Sequence, residues 1–449
     1  MVRETKMESC VKVLGFIVFF CIPVCLIAAG DDTLTVMRSS ADQVVRGVII
    51  TGNKKTKEYI ITREMSLQAG DTVTTESLEY DKNRIFSLRL FNRVDIGTMP
   101  FDSTGVLVHI DVDERWYIFP IPMFGIKDRD WSKLYYGLGV LHDNFLGENQ
   151  KLYGACIFGY DPYAEVTYRN PRFDSAGDVF LTAHAVFAKI KNKSLHTLRL
   201  GEEFDERQFV AECQLGRRFG TTTAAWTQLS FVTVDVSAPA EGRTISPDGT
   251  DRYFALQIGA LYDTRDLGEY PRMGTYLEAG IVKKGLGSTV DYWRLSADAR
   301  RFIPLGTFAT IGMRGFIDLA VGGMVPLYDH RYFGYGSRIR GHFKDILEGE
   351  SYLGGTAELH VPILNPIFIK VSKVPIEQFA TWRFGIVAAL FVDAGQVWER
   401  ETQVALDRFI KGYGAGIHFL LPYSYIIRAE VGFDERGKSQ FILDLGAAL

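Results

Sequence analysis

The reactive side chains of this sequence are poorly placed for bond-making chemistry. The eight histidines are scattered, no His/Cys set has the spacing of a metal site, and no Gly-x-Ser-x-Gly elbow presents a nucleophile. No catalytic residue, cofactor or metal is therefore expected. Of the five cysteines, Cys10, Cys21 and Cys25 fall in an apolar N-terminal region. Cys156 and Cys213 fall in strand-like segments that are not neighbours, so no disulfide is expected. What remains is ionic chemistry in an unusual setting. The segment Tyr332-Phe333-Gly334-Tyr335-Gly336-Ser337-Arg338-Ile339-Arg340-Gly341-His342-Phe343 has no periodicity of its own, and long loops of that kind tend to be functional. An arginine there can hold two carboxylates at once, because its donors form a planar fork.

Those residues need a frame, and its first feature is an export signal. Arg3, Lys6 and Lys12 precede an apolar run from Val13 to Ala28, followed by small residues and then Asp31 and Asp32. This pattern predicts a signal peptide over 1–30, cleaved near Ala29 or Gly30. Pro23 and Val24 stand before Cys25 and argue against a lipoprotein. With 50 Lys+Arg against 54 Asp+Glu and a formal net charge of -4, no basic excess points to nucleic acid. Beyond the signal, no stretch approaches the ~18 apolar residues of a membrane helix. Membrane residence would have to come from a barrel or a surface contact.

After a linker over 31–43, a small α+β unit is predicted over 44–115. A strand at Val44–Ile50 ends at Gly52-Asn53. Helices follow at about Thr56–Leu67 and, N-capped near Thr75, to about Leu88. Strands at Arg93–Met99 and Gly105–Val112 close the unit. From 116 to 449 the pattern changes to strands of about ten residues separated by turn residues, about sixteen in all, from Tyr117–Ile126 to Gln440–Ala448. Trp293, Leu295, Ala297 and Ala299 alternate with Arg294, Ser296, Asp298 and Arg300. Ala357, Leu359 and Val361 alternate with Thr356, Glu358 and His360, and Ile427, Ala429, Val431 and Phe433 with Arg428 and Glu430. One apolar and one charged face per strand predicts a transmembrane β-barrel with a wet lumen. Trp131, Tyr135, Tyr136, Trp382 and Trp398 near strand ends are expected in interfacial belts.

The β-α-α-β-β order, the Gly52-Asn53 turn and the run Phe91-Asn92-Arg93-Val94 resemble a POTRA domain, the periplasmic module beside barrels of the BamA/TamA-like superfamily (the bacterial surface antigen family). The loop resembles that superfamily's sixth extracellular loop, a Gly-rich turn with Ser337 followed by Ile339-Arg340-Gly341. Gly354-Gly355-Thr356-Ala357-Glu358 and Phe391-Val392-Asp393-Ala394-Gly395 resemble its acid-bearing strands, as do the turns Asn144-Phe145-Leu146-Gly147 and Asp263-Thr264-Arg265-Asp266. The resemblance implies that Arg340 folds into the lumen and meets Glu358 and Asp393. His342 departs from the pattern, which usually has an aromatic there; either the aromatic has moved one position to Phe343 or the imidazole serves in its place.

The resemblance further implies a bacterial outer-membrane location, with the POTRA domain in the periplasm. It implies a working seam between the first and last strands. Pro120 and Pro122 cannot donate to a ladder there, and Phe441, Leu443 and Leu445 take the place of the aromatic C-terminus usual in such barrels. The expected function is assembly or translocation of other proteins by strand templating at the POTRA edge and the seam. Expected partners are outer-membrane lipids, unfolded barrel or exported clients, and periplasmic or lipoprotein accessory subunits. The alternatives are a two-partner-type secretion pore, which usually carries two POTRA domains and a plug helix, and a passive porin or adhesin.

Overall fold

A computed structural model describes residues 43–446 except 104, 128–130, 175–177, 200–203, 343–344, 371–380, 401–403 and 423–424. The predicted signal peptide, nearly all of the linker, and Phe343 lie outside the described residues.

The N-terminal unit comprises β1 (Val44–Thr51), α1 (Glu58–Thr62), α2 (Thr75–Phe86), β2 (Phe91–Pro100) and β3 (Gly105–Glu114). Its sheet has the order β1-β3-β2, with β1 parallel and β2 antiparallel to β3. The helices bury Ile60, Ile61 and Ile85 against Val45, Val108 and Ile110. Thr74 caps α2 in a reciprocal box with Ser77, satisfying two donors that a helix start leaves open. The first helix ends at Thr62 instead of continuing to Leu67. The Ser66 and Leu67 amides donate to the buried Asp81 carboxylate at 2.7 and 3.1 Å, so α2 takes the donors that would have prolonged the turn.

Sixteen strands form the second unit, in one antiparallel sheet. In chain order they are β4 (Ile118–Ile126), β5 (Leu134–Phe145), β6 (Gln150–Gly159), β7 (Tyr163–Asn170), β8 (Val179–Lys191), β9 (Asp205–Phe219), β10 (Thr223–Val236) and β11 (Thr250–Asp263). Next come β12 (Gly274–Lys284), β13 (Tyr292–Leu305) and β14 (Ala309–Gly322). A small hairpin, β15 (Arg331–Phe333) and β16 (Leu347–Gly349), interrupts the series within the long loop. The last five strands are β17 (Ser351–Lys370), β18 (Thr381–Trp398), β19 (Ile410–Leu420), β20 (Ile426–Asp434) and β21 (Ser439–Leu445).

The polarity of this sheet is inverted relative to a water-soluble domain. Leu229, Phe254, Ile258, Leu295, Leu390 and Val392 are exposed on its outer face, while Arg294, Asp318, Glu358, Asp393 and Glu430 are buried inside. Alternation along each strand produces this directly. Trp131 and Tyr136 are exposed as a belt requires, but Trp398 is buried. Cys156 and Cys213 are free and exposed.

The N-terminal unit rests on the turns at the end of the barrel from which β4 starts. Lys57 N–H donates to Gly147 O at 2.9 Å. Arg84 donates to Thr221 O at 2.7 Å, and Phe86 meets Phe368 edge-on. Glu64, at the centre of the contact, pairs with Arg84 at 3.0 Å and Arg218 at 2.7 Å. Burial pushes the Glu64 carboxyl up, but Arg218, Arg84 and Arg63 outweigh it and hold it below its ordinary range.

Candidate functional site

The loop between β14 and β17 turns back into the barrel and is held in three stages. At its start Asp329 receives Arg294 Nε at 2.6 Å, the Tyr292 hydroxyl at 2.7 Å and Lys284 at 2.7 Å. Arg294 and Arg331 both reach Asp318 as well, at 2.6 and 3.0 Å. The hairpin then packs Phe333 and Ile339 against Tyr352 of β17. Beyond it comes Arg340, 5% exposed.

Arg340 uses its whole donor fork. Nε and Nη2 donate to the two oxygens of Asp393 at 2.8 and 2.7 Å, and its amide adds a third bond to the same carboxylate at 3.0 Å. Nη1 lies 2.5 Å from Glu358 and 2.9 Å from Glu430. The guanidinium stacks over Phe391, 3.6 Å from the ring centroid. Charge-assisted, bidentate contacts in a cramped site are among the strongest polar contacts a protein makes. Thr356 braces Asp393 at 3.0 Å.

Glycines on the inner wall make the seat. A Cβ on Gly412 would fall 1.5 Å from the Arg340 carbonyl oxygen, so only glycine lets the loop lie this close. Gly341 has φ +100°, a left-handed conformation that side chains resist, and a Cβ there would strike Phe433 O at 2.4 Å.

The structure thus brings together Arg340, Glu358 and Asp393, with Ile339 buried beneath and Ser337 closing the turn by accepting from Gly334 N–H at 2.8 Å. His342 fills the aromatic's place as a polar tether, with Nδ1 2.7 Å from Asp345 and Nε2 2.6 Å from Glu435. Sequence reasoning missed Glu430, the third carboxylate, and its partner Arg428, although both stood on the polar face of an alternating strand. Arg428 contacts Glu430 at 3.1 Å, Asp444 at 2.7 Å and Gly446 O at 2.7 Å, so the cluster extends to β21.

The seam residues lie elsewhere. β4 and β21 are the two ends of the sheet order, and no ladder joins them among the described residues. Pro120 and Pro122 are exposed on the outer face of β4. Phe441 and Leu443 are each 65% exposed on β21, and Leu445 is half-buried. Among the described residues no group of His, Cys, Asp and Glu is arranged to hold a metal.

An inverted-polarity barrel of sixteen strands, a β-α-α-β-β module on its turns and an in-folded arginine loop define an outer-membrane barrel of the POTRA-bearing class. The family model described as the Omp85 superfamily domain matches residues 144–448, and the POTRA model, described as a surface antigen variable number repeat, matches 43–115. The chain belongs to the Omp85 superfamily. It is similar to the outer membrane protein assembly factor BamA of Neorickettsia risticii, at 24% identity over 86% of this chain and 52% of that protein. It is also similar to that of Neisseria meningitidis serogroup B, at 23% identity over 80% and 47%. The chain therefore spans about half the length of the curated relatives it matches. Among solved structures, BamA from Haemophilus ducreyi lacking POTRA domains 1–3 aligns with TM-score 0.52 at 17% identity, covering 90% of this chain and 83% of that one. CdiB from Escherichia coli aligns with TM-score 0.56 at 11% identity, covering 90% and 75%. The protein resides in the bacterial outer membrane with its POTRA domain in the periplasm, which makes the arginine loop extracellular in origin.

Proposed function

We propose that this protein inserts or translocates other proteins at the outer membrane, by templated strand pairing and not by bond-making catalysis. One observation carries the reading: among the described residues the sheet ends in two strands with no mutual ladder, while the wall a few strands away is locked by the Arg340 cluster. An unpaired edge is a template for an incoming strand. Proline is tolerated where its missing donor faces a free edge, so Pro120 and Pro122 keep the β4 side of the seam from zipping. The β2 edge of the POTRA sheet, and the β1 edge beyond Val45, whose own amide and carbonyl are already bonded to Asp71 and Gly70, offer a second template in the periplasm. The exposed Phe441 and Leu443 face lipid beside the seam. Clients are unfolded barrel or exported chains, with periplasmic or lipoprotein accessory subunits assisting.

Depletion followed by quantitation of the outer-membrane proteome tests this. Loss of many barrels supports a general assembly role and loss of one exported protein a dedicated transporter; an unchanged proteome overturns the proposal. Planar-bilayer recording separates it from a passive pore, for which a large steady current is expected.

A further inference from the structure

The periplasmic turn between β11 and β12 does something its own geometry does not require. Asp266 closes it by accepting the amides of Arg272 and Met273 at 2.9 and 3.2 Å. Tyr270 nevertheless leaves the turn and crosses the lumen. Its ring stacks on His360 at 4.7 Å and meets His418 edge-on at 6.0 Å, and its hydroxyl lies 3.0 Å from His418 Nδ1. It also packs with Val387, Leu420 and Ile426, side chains of β18, β19 and β20. In the sheet order β13 and β14 separate β12 from β17, and β19 lies further still, so the tyrosine reaches this wall only through the interior.

The two histidines it touches back the two carboxylates that share Arg340 Nη1. His360 Nε2 lies 2.6 Å from Glu358, and His418 Nε2 lies 3.1 Å from Glu430. When Nε2–H of His418 donates to Glu430, Nδ1 is left as the acceptor of the Tyr270 hydroxyl. The tyrosine thereby fixes the tautomer and ring plane, as outer partners fix metal-ligating imidazoles. The other end of the turn belongs to the POTRA domain. Gly268 N–H donates to Ser87 Oγ at 3.1 Å, and the buried Glu269 pairs with Arg89 at 2.8 Å. Ser87 and Arg89 immediately follow α2.

We infer that Tyr270 is a positioning residue for the arginine latch, and that its turn makes the latch sensitive to how the POTRA domain is docked. A POTRA displacement pulls on Gly268 and Glu269, moves Tyr270, and frees the two histidines that hold Glu358 and Glu430 against Arg340. A segment biased from both ends is the physical requirement for coupling between distant sites. This inference rests on the latch belonging to the working machinery described above.

Hydrogen–deuterium exchange of the full chain in detergent micelles, read on residues 337–342, tests it. Tyr270→Ala should speed exchange about tenfold, Tyr270→Phe (ring kept, hydroxyl lost) less, and Arg89→Gln about threefold despite lying outside the barrel. Heat-modifiable gel migration reports folding; should Tyr270→Ala not fold, Tyr270→Phe and Arg89→Gln carry the test. Wild-type exchange in Tyr270→Phe and Arg89→Gln, with faster exchange in Arg340→Ala measured alongside, overturns the coupling and leaves the latch intact. Unchanged exchange in Arg340→Ala removes the latch itself and the inference with it.

Discussion

Two stretches of one cylinder are built to opposite specifications. β17 and β18 are 20 and 18 residues long and pair from Ser351 opposite Trp398 to Lys370 opposite Thr381. Their inner face also holds a loop through Arg340. β4 and β21 have only 9 and 7 residues, and among the described residues each pairs with a single neighbour. Only β19 and β20 lie between the two stretches, and Arg428 links them by touching both Glu430 and Asp444. The contrast teaches that bracing here is local: the Arg340 cluster ties one wall together, while among the described residues the two end strands share no ladder. Backbone groups facing lipid without partners cost several kcal/mol each, which is a reason for the end strands to be short.

The contrast breaks most visibly at the latch. Arg340→Ala removes the cation shared by three buried carboxylates, and removing one partner of a buried charge cluster costs about 3–5 kcal/mol. Urea titration in lipid vesicles should show that loss; a change within experimental error means the acids find other partners and the wall needs no latch. Gly412→Ala pushes a methyl group into the Arg340 carbonyl and should cost about 1–3 kcal/mol, as overpacking does, by the same measurement. At the other stretch, Pro120→Val with Pro122→Val restores two donors, each adding about 0.5–1.5 kcal/mol where it finds an acceptor. The double variant should be more stable and slower to fold a client barrel in reconstituted vesicles. Unchanged stability and rate would place those donors away from the seam.

The barrel was legible because alternation is local: Arg428 and Glu430 between Ile427, Ala429 and Val431 announce a wet inner face without any knowledge of neighbours. The loop was legible through its resemblance, which pointed to Glu358 and Asp393 but not to Glu430, a residue visible as inward-facing yet with nothing in the sequence to aim it at Arg340. The turn Asp263-Thr264-Arg265-Asp266 stood out as turn chemistry, and Arg265 does pair with Asp263 at 2.8 Å. That Tyr270, just beyond it, would cross the lumen was not legible, because no periodicity encodes contact between strands so far apart in order. The hairpin of β15 and β16 was missed because three-residue strands are too short to show a period. The early end of α1 was missed because it depends on Asp81, a capping partner supplied from another helix.

His342 sharpens the comparison at its smallest scale, because it tethers the same loop with a group that titrates. Burial lowers its imidazole, but hydrogen bonds to Asp345 and Glu435 outweigh this and set its pKa above the ordinary histidine value. A group raised in the folded state contributes its full stability below the ordinary value and loses it as pH rises through the raised one. The loop should therefore be held tightest in mild acid and more loosely from neutral pH upward. Both carboxylates are about half exposed, so the effect should not exceed about 1 kcal/mol. Urea midpoints taken from about pH 5.5 to about pH 8.5 should fall more steeply in the wild type than in His342→Phe, which installs the aromatic of the family pattern. If the two slopes coincide, the histidine is a packing substitute for that aromatic and the ionic hold on the loop ends at Arg340.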